Sequence, residues 1–140
     1  MAYWLVKTEP SAFSWEDQVH RAAKGEPWTG VRNHMAKRNL NAMKRGDRAF
    51  FYHTDDEKRI VGTVEVIRES YPDPTDSTHA FVAVDVRAVA PLPEPVTLAA
   101  VKAEPRLSDM VLAHQPRLSV QPVTPAQWHL VCRMGGLKSE

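Results

Sequence analysis

The chain carries eleven prolines, most of them after Tyr71. Proline has no N–H and breaks the interior of a helix or a central strand. The second half therefore cannot be a bundle of long helices, and it reads as short strands with irregular connections. Between the prolines the apolar residues alternate. In Ile60–Glu69, Val64 and Val66 face one way and Thr63 and Glu65 the other. From Phe81 to Val89, Val82, Val84 and Val86 alternate with Ala83, Asp85 and Arg87. A period of two marks half-buried strands. Two such strands, joined through a loop that opens with Tyr71-Pro72-Asp73-Pro74, favour an antiparallel sheet. Gly62 inside the first predicts a bulge or a close approach by another backbone. Ala90–Pro95 reads as proline-punctuated coil.

The first half has clearer local signals. Tyr3–Thr8 is a strand stopped by Glu9-Pro10; alternation puts Lys7 and Glu9 on one face and Trp4, Val6 and Thr8 on the other. Ser14 caps a short helix that ends at Gly25. Asn33 can cap a helix from His34 to about Lys44, whose apolar stripe is Ala36, Leu40 and Met43. Gly46-Asp47 stops it, and Arg48–Thr54 is a strand. Further on, Thr97 can cap Leu98–Ala103, and Arg106–Pro116 reads as a helical turn and a loop. Leu118–Val123 is a last short strand. Thr124-Pro125 opens a helix to about Met134, stopped by Gly135-Gly136. Lys138–Glu140 is expected to fray. At 140 residues, a single domain over 1–140 is expected. The expected class is α+β: a small mixed, mostly antiparallel β-barrel or curved sheet with short helices in the connections.

Several chemistries are excluded. Cys132 is the only cysteine, so there is no internal disulfide and no thiolate cluster within one chain. On the last helix it reads as an inert core residue, and a lone thiol suits a reducing compartment. The six histidines form no close ligand pair, so no metal or other cofactor is expected. GxSxG and P-loop motifs are absent. The segment MAYWLVKTEP has no early positive charge, and its apolar run is only Tyr3–Val6, so it is neither a signal peptide nor a membrane span. The expectation is a cytoplasmic monomer with no membrane partner.

The stretch Trp28–Thr54 carries the functional signal. Net charge is only +1, so any nucleic-acid role rests on a local patch. Arg32, Lys37, Arg38, Lys44, Arg45 and Arg48, with His34, face a single acid, Asp47. Such a patch tracks phosphates, with Arg32, Lys37 and Arg38 as the candidate contacts; the alternative is a solvated helix face. Upstream, Trp28-Thr29-Gly30 is a turn into a helix start, where unpaired N–H groups favour anions or carbonyl oxygens. Asn33 either caps the helix or pairs with a base edge. Arg32 either stacks on a base or grips a phosphate, or makes a surface ion pair. Trp28 suits a pocket wall, whereas Trp4 and Phe50 or Phe51 suit the core. Tyr52 and Thr54 share a strand face and present hydroxyls.

These residues also carry a resemblance. The motifs are YWLVKTEP at Tyr3–Pro10, WTGVRN at Trp28–Asn33, NLNAMKRGDRAFFYH at Asn39–His53 and IVGTVEV at Ile60–Val66. They continue with YPDPT at Tyr71–Thr75, RLSVQPVT at Arg117–Thr124, and Trp128. Over nearly its full length the chain resembles the EVE domain family of the PUA-like superfamily. The resemblance implies a small mixed barrel that reads a modified base, above all a modified cytosine, in DNA or RNA, without catalysis. The base is flipped into a pocket that Lys7, Glu9, Trp28, Gly30, Val31, Asn33, Tyr52, His53, Thr54 and Ser119 would line. Flipping costs a few kcal/mol, which stacking and edge hydrogen bonds must offset. Many relatives have His-Ser-Asn where this chain has His53-Thr54-Asp55; Asp55 loses a donor and gains a charge. Two other readings stand beside this one. Lys7, Thr8 and Glu9 resemble the groups of nucleoside amidohydrolases of related type, with a structural Lys7–Glu9 ion pair as the plainer account. The proline-rich Tyr71–Pro95 region could instead serve as a protein adaptor.

Overall fold

The computed structural model describes residues 1–138. The elements, in order, are β1 (Tyr3–Thr8), α1 (Trp15–His20), β2 (Glu26–Pro27), α2 (His34–Ala42), β3 (Arg48–His53) and β4 (Arg59–Pro72). Then come β5 (Val82–Thr97), α3 (Leu98–Ala103), α4 (Val111–His114), β6 (Val120–Val123) and α5 (Pro125–Met134). They form one six-stranded sheet in the order β2-β5-β4-β3-β1-β6. β1 and β3 run parallel, with α1, β2 and α2 in the crossover between them; the other pairs are antiparallel.

Alternation sorts the strand residues onto two faces, each with its own core. Trp4, Val6, Phe51, Val64, Val66, Val84 and Val86 pack with Ala36 and Leu40 of α2. On the other face Leu5, Phe50, Tyr52 and Ile60 pack with Val101 of α3 and with Trp128 and Val131 of α5. Trp128 stacks on Phe50 at 4.0 Å and on Tyr3 at 4.6 Å between ring centroids. Neighbours in sequence, Phe50 and Phe51, are both fully buried but serve opposite cores; each contributes about 1.5–3 kcal/mol by burial.

The expected caps form. Ser14 and Thr124 each make a reciprocal capping box, and Pro125 occupies the first turn of α5. Asp47 does more than stop α2: its carboxylate accepts from Lys44 N at 2.9 Å, Trp4 Nε1 at 3.0 Å and Ala2 N at 3.1 Å. Gly62 shows the expected irregularity, but what approaches it closely is a side-chain ring and not another backbone. The ladder to β5 is irregular there, and a Cβ would lie 2.5 Å from the Trp15 ring. Trp15 thus lies on the bare backbone, edge-on to Phe51.

Two expectations are corrected. The sheet is open and does not close into a barrel. The rims a barrel would join are β2, two residues ending in Pro27, and β6, four residues including Pro122. Neither offers a run of donors. Instead α2 packs against β6, β5 and β4, and Asn39 Nδ2 donates to the Val120 carbonyl at 2.7 Å. Second, Ala90–Pro95 is not coil: β5 runs through Pro91, Pro93 and Pro95 to Thr97. Gly62 pairs with Pro91 and Ile60 with Val96, so the intervening residues bulge. Glu94 N finds the Gly135 carbonyl at 3.0 Å. Proline keeps its carbonyl and an extended φ, which suffices for an interrupted edge. The fraying expected at Lys138–Glu140 concerns Ser139 and Glu140, which lie outside the described residues.

Candidate functional site

β2 ends in Pro27, and the chain then turns. Trp28 N donates to Val84 O at 2.7 Å, and Thr29 N to Pro27 O at 3.1 Å. Gly30 takes φ +83°, a conformation open to glycine without strain. The turn wraps a cavity of about 230 Å3 lined by Trp28, Thr29, Gly30, Val31 and Arg32, by Lys7, Thr8 and Ser119 from the ends of β1 and the approach to β6, and by Phe13, Glu26 and Pro27. That is below the roughly 300–1,000 Å3 of pockets for drug-sized ligands, so it suits one ring system. Trp28 is only 6% exposed. Its indole is wedged edge-to-face against Phe13 and Phe51, with centroids 6.2 and 5.6 Å away. It forms the cavity's aromatic wall and also belongs to the core.

The turn is held from 43 residues away. Asp73 Oδ2 accepts from Gly30 N at 2.9 Å and from Arg32 Nη1 at 3.0 Å, and its Oδ1 accepts from Thr75 N and Thr75 Oγ1, both at 2.7 Å. Asp73 is 2% exposed. Burial alone would raise its pKa; the Thr75, Gly30 and Arg32 donors outweigh it and hold the carboxyl at about 2. Arg32 Nη2 also donates to Thr75 Oγ1 at 3.0 Å, and its guanidinium lies over the Phe81 ring at 5.5 Å. A second buried carboxylate, Asp76, accepts from Thr78, Ala80 and Phe81 backbone N–H groups and shapes the rest of the loop.

The structure brings Lys7, Trp28, Gly30, Val31 and Ser119 together, with Arg32 at the same cavity. The remaining expected residues stand elsewhere. Asn33 caps α2, its Oδ1 accepting from Ala36 N at 2.9 Å; it lines a neighbouring cavity. Glu9 is exposed, and its carbonyl ties down Ala12 N and Phe13 N, each at 2.9 Å. Tyr52 lies in the opposite core, with its pKa raised by burial. His53 Nε2 accepts from Trp15 N at 3.0 Å, which assigns the proton to Nδ1 for its 2.8 Å bond to Glu57. Thr54 joins Thr8 through its backbone N at 2.9 Å and its hydroxyl at 3.3 Å. Asp55 takes φ +61°, where Asn and Asp are the side chains best tolerated. Lys37 and Arg38 lie on α2, half-buried and exposed respectively.

The Lys7–Glu9 ion pair gives way to another contact. Lys7 Nζ donates to Pro116 O at 2.8 Å and sits 5.5 Å from the Tyr52 ring centroid, and burial lowers its pKa. Thr8 Oγ1 donates to Phe13 O at 2.9 Å. Sequence reasoning missed Thr8, Phe13, Glu26, Pro27 and Thr29 as lining residues, and Asp73 as the anchor. A signal for Asp73 existed: Asp followed two residues later by Thr, after proline, is an Asx-turn pattern.

An open α+β sheet with a ring-sized, indole-walled cavity at one end defines a small ligand-binding domain. The chain belongs to the EVE domain family, whose model matches residues 2–134. Human thymocyte nuclear protein 1 is 32% identical over 162 residues, covering 93% of this chain and 72% of that protein. Among solved structures, Rpa0253 from Rhodopseudomonas palustris superposes with a TM-score of 0.94 at 63% identity, over 100% of this chain and 97% of that one. The human THYN1 protein, in complex with 5-methylcytosine-containing DNA, gives 0.88 at 30% identity over 99% of both chains. A YTH domain of Zygosaccharomyces rouxii MRB1 shares the fold at 0.58 and 14% identity, over 99% of this chain and 89% of that one. Among the described residues, no helix is long and apolar enough to cross a membrane.

Proposed function

We propose that this protein is a non-catalytic reader of a modified nucleobase, above all a modified cytosine, in a nucleic-acid strand. The cavity behind the Trp28–Arg32 turn supports this reading most directly: it has room for one ring, an indole wall, and polar groups from Lys7, Thr8, Thr29 and Ser119 around it. The human relative's structure with 5-methylcytosine-containing DNA supplies the ligand class. In this reading the base leaves its stack and enters the cavity, where stacking and edge hydrogen bonds offset the few kcal/mol of extrusion. Lys37 and Arg38 contact phosphates. Arg32 adds its charge while it holds the turn to Asp73. Residues 1–140 act as one domain of PUA-like architecture.

Fluorescence anisotropy with matched oligonucleotides, with and without 5-methylcytosine, at fixed salt tests the reading. Tighter binding of the modified strand is expected, with affinity falling as salt rises. Equal binding of both strands would sink it. Incubation with N4-acetylcytidine at high protein concentration should give no turnover; deacetylation would replace the reader by an amidohydrolase.

A further inference from the structure

A second cavity, of about 360 Å3, opens beside the first and is lined by Asn33, Met35, Gln115, Pro116, Arg117 and Leu118. The two share a wall. Arg32 and Ser119 line the first, and their chain neighbours Asn33 and Leu118 line the second. Consecutive residues, about 3.8 Å apart at Cα, therefore divide them. Lys7 braces the same wall from the first cavity, through its 2.8 Å bond to the carbonyl of Pro116 in the second.

The lining is chemically distinct from a solvated groove. Met35 is 47% exposed, one of four large apolar side chains among the described residues that stand open to solvent rather than partly covered. Leu118 is buried beside it. Arg117 is exposed and makes no ion pair among the described residues. The cap uses the Asn33 Oδ1 and leaves its Nδ2 hydrogens to other acceptors. No carboxylate lines this cavity. The first cavity differs, for Glu26 is among its lining residues, paired with Arg21 at 2.7 Å. A polyanion that places one base in the first cavity is drawn to the Arg117 side.

We infer that the second cavity holds the nucleotide next to the bound base on the same strand, with Met35 against the face of its base and Arg117 at its phosphate. Base faces pack on apolar and guanidinium surfaces without regard to sequence. The inference rests on the base-reading proposal and extends it from one base to at least two nucleotides.

NMR titration of the whole chain with two probes tests it: the nucleoside 5-methyl-2′-deoxycytidine, and a trinucleotide with 5-methylcytosine at its centre. The nucleoside should shift the Gly30, Val31 and Ser119 amides and leave the Met35 methyl signal in place. The trinucleotide should shift all four. Met35→Ala and Arg117→Gln should each weaken the trinucleotide about tenfold and leave the nucleoside affinity unchanged. If the trinucleotide moves the three amides but not the Met35 methyl, or if the variants weaken both probes alike or neither, the subsite is refuted and base reading stands. If neither probe moves the Gly30, Val31 and Ser119 amides, base reading fails and the subsite fails with it.

Discussion

The turn Trp28–Asn33 and the strand end Tyr52–Thr54 belong to one stretch of sequence and offer similar chemistry: an aromatic ring, a nitrogen-bearing side chain, a hydroxyl or backbone donor. Both were expected at one pocket. The turn lines the cavity, and a distant carboxylate, Asp73, holds its Gly30 N–H and its Arg32. At the strand end the polar groups of His53 and Thr54 are consumed by the fold, and Tyr52 is buried. His53 takes the first N–H of α1, Thr54 ties β3 to β1, and Tyr52 fills the second core. What separates the two is which protein groups compete for their hydrogen bonds. At the turn the competitor fixes the backbone and leaves a concave wall; at the strand end it closes the surface.

Trp28→Ala breaks this comparison most severely. The indole serves both core and cavity, so its loss should cost about 3–5 kcal/mol, read as a lower urea midpoint. Trp28→Phe keeps an aromatic wall and separates the roles, with binding of 5-methylcytosine oligonucleotides falling more than stability does. Binding that tracks stability alone would return Trp28 to the core. Asp73→Asn comes next, at about 1–3 kcal/mol, because Gly30 and Arg32 lose a charged acceptor. It should also weaken binding, since it loosens the cavity wall. The sign of the pH effect follows from the depressed carboxyl. The folded state takes up this proton at about pH 2 rather than at the ordinary 3.8. The stabilisation is therefore complete above the ordinary value and is lost as pH falls through about 2. The Gly30 amide resonance should titrate near the lower value, and an inflection near 3.8 would deny the clamp.

His53→Ala sharpens the comparison from the other end. It strips an acceptor from the first turn of α1, which should cost about 0.5–2 kcal/mol. The affinity of the folded protein for the modified strand should stay unchanged; a selective loss of affinity would put His53 at the ligand. The smallest effect is expected of Thr54→Val, at about 1 kcal/mol or less by urea denaturation, again with binding intact.

Much of the fold was legible because its signals are local. The β1 boundaries, the Asn33, Thr97 and Thr124 caps and the ladder irregularity at Gly62 follow from period, capping and backbone space within a few residues. Barrel closure is not legible locally because it depends on what lies across the gap, where α2 and Asn39 stand in place of a strand. β5 outruns its sequence signal because the ladder bulges around proline instead of ending at it. At the site, Lys7, Trp28, Gly30, Val31 and Ser119 could be grouped only through the family resemblance, since they come from three separate segments. Asn33 had two uses open to it, and its local bond to Ala36 N selects the cap; His53 was placed at the pocket by the resemblance alone, and its bonds to Trp15 and Glu57 hold it elsewhere. Asp73 is remote in sequence from the turn it holds, so no spacing rule links the two.

The most direct test of the central claim is a crystal structure of this chain with an oligonucleotide carrying 5-methylcytosine. The modified base is expected unstacked, inside the cavity between Trp28 and the Gly30–Arg32 backbone, with Tyr52, His53 and Thr54 keeping their present partners. A base resting against Tyr52–Thr54, or left stacked in its strand with the cavity empty, would contradict it.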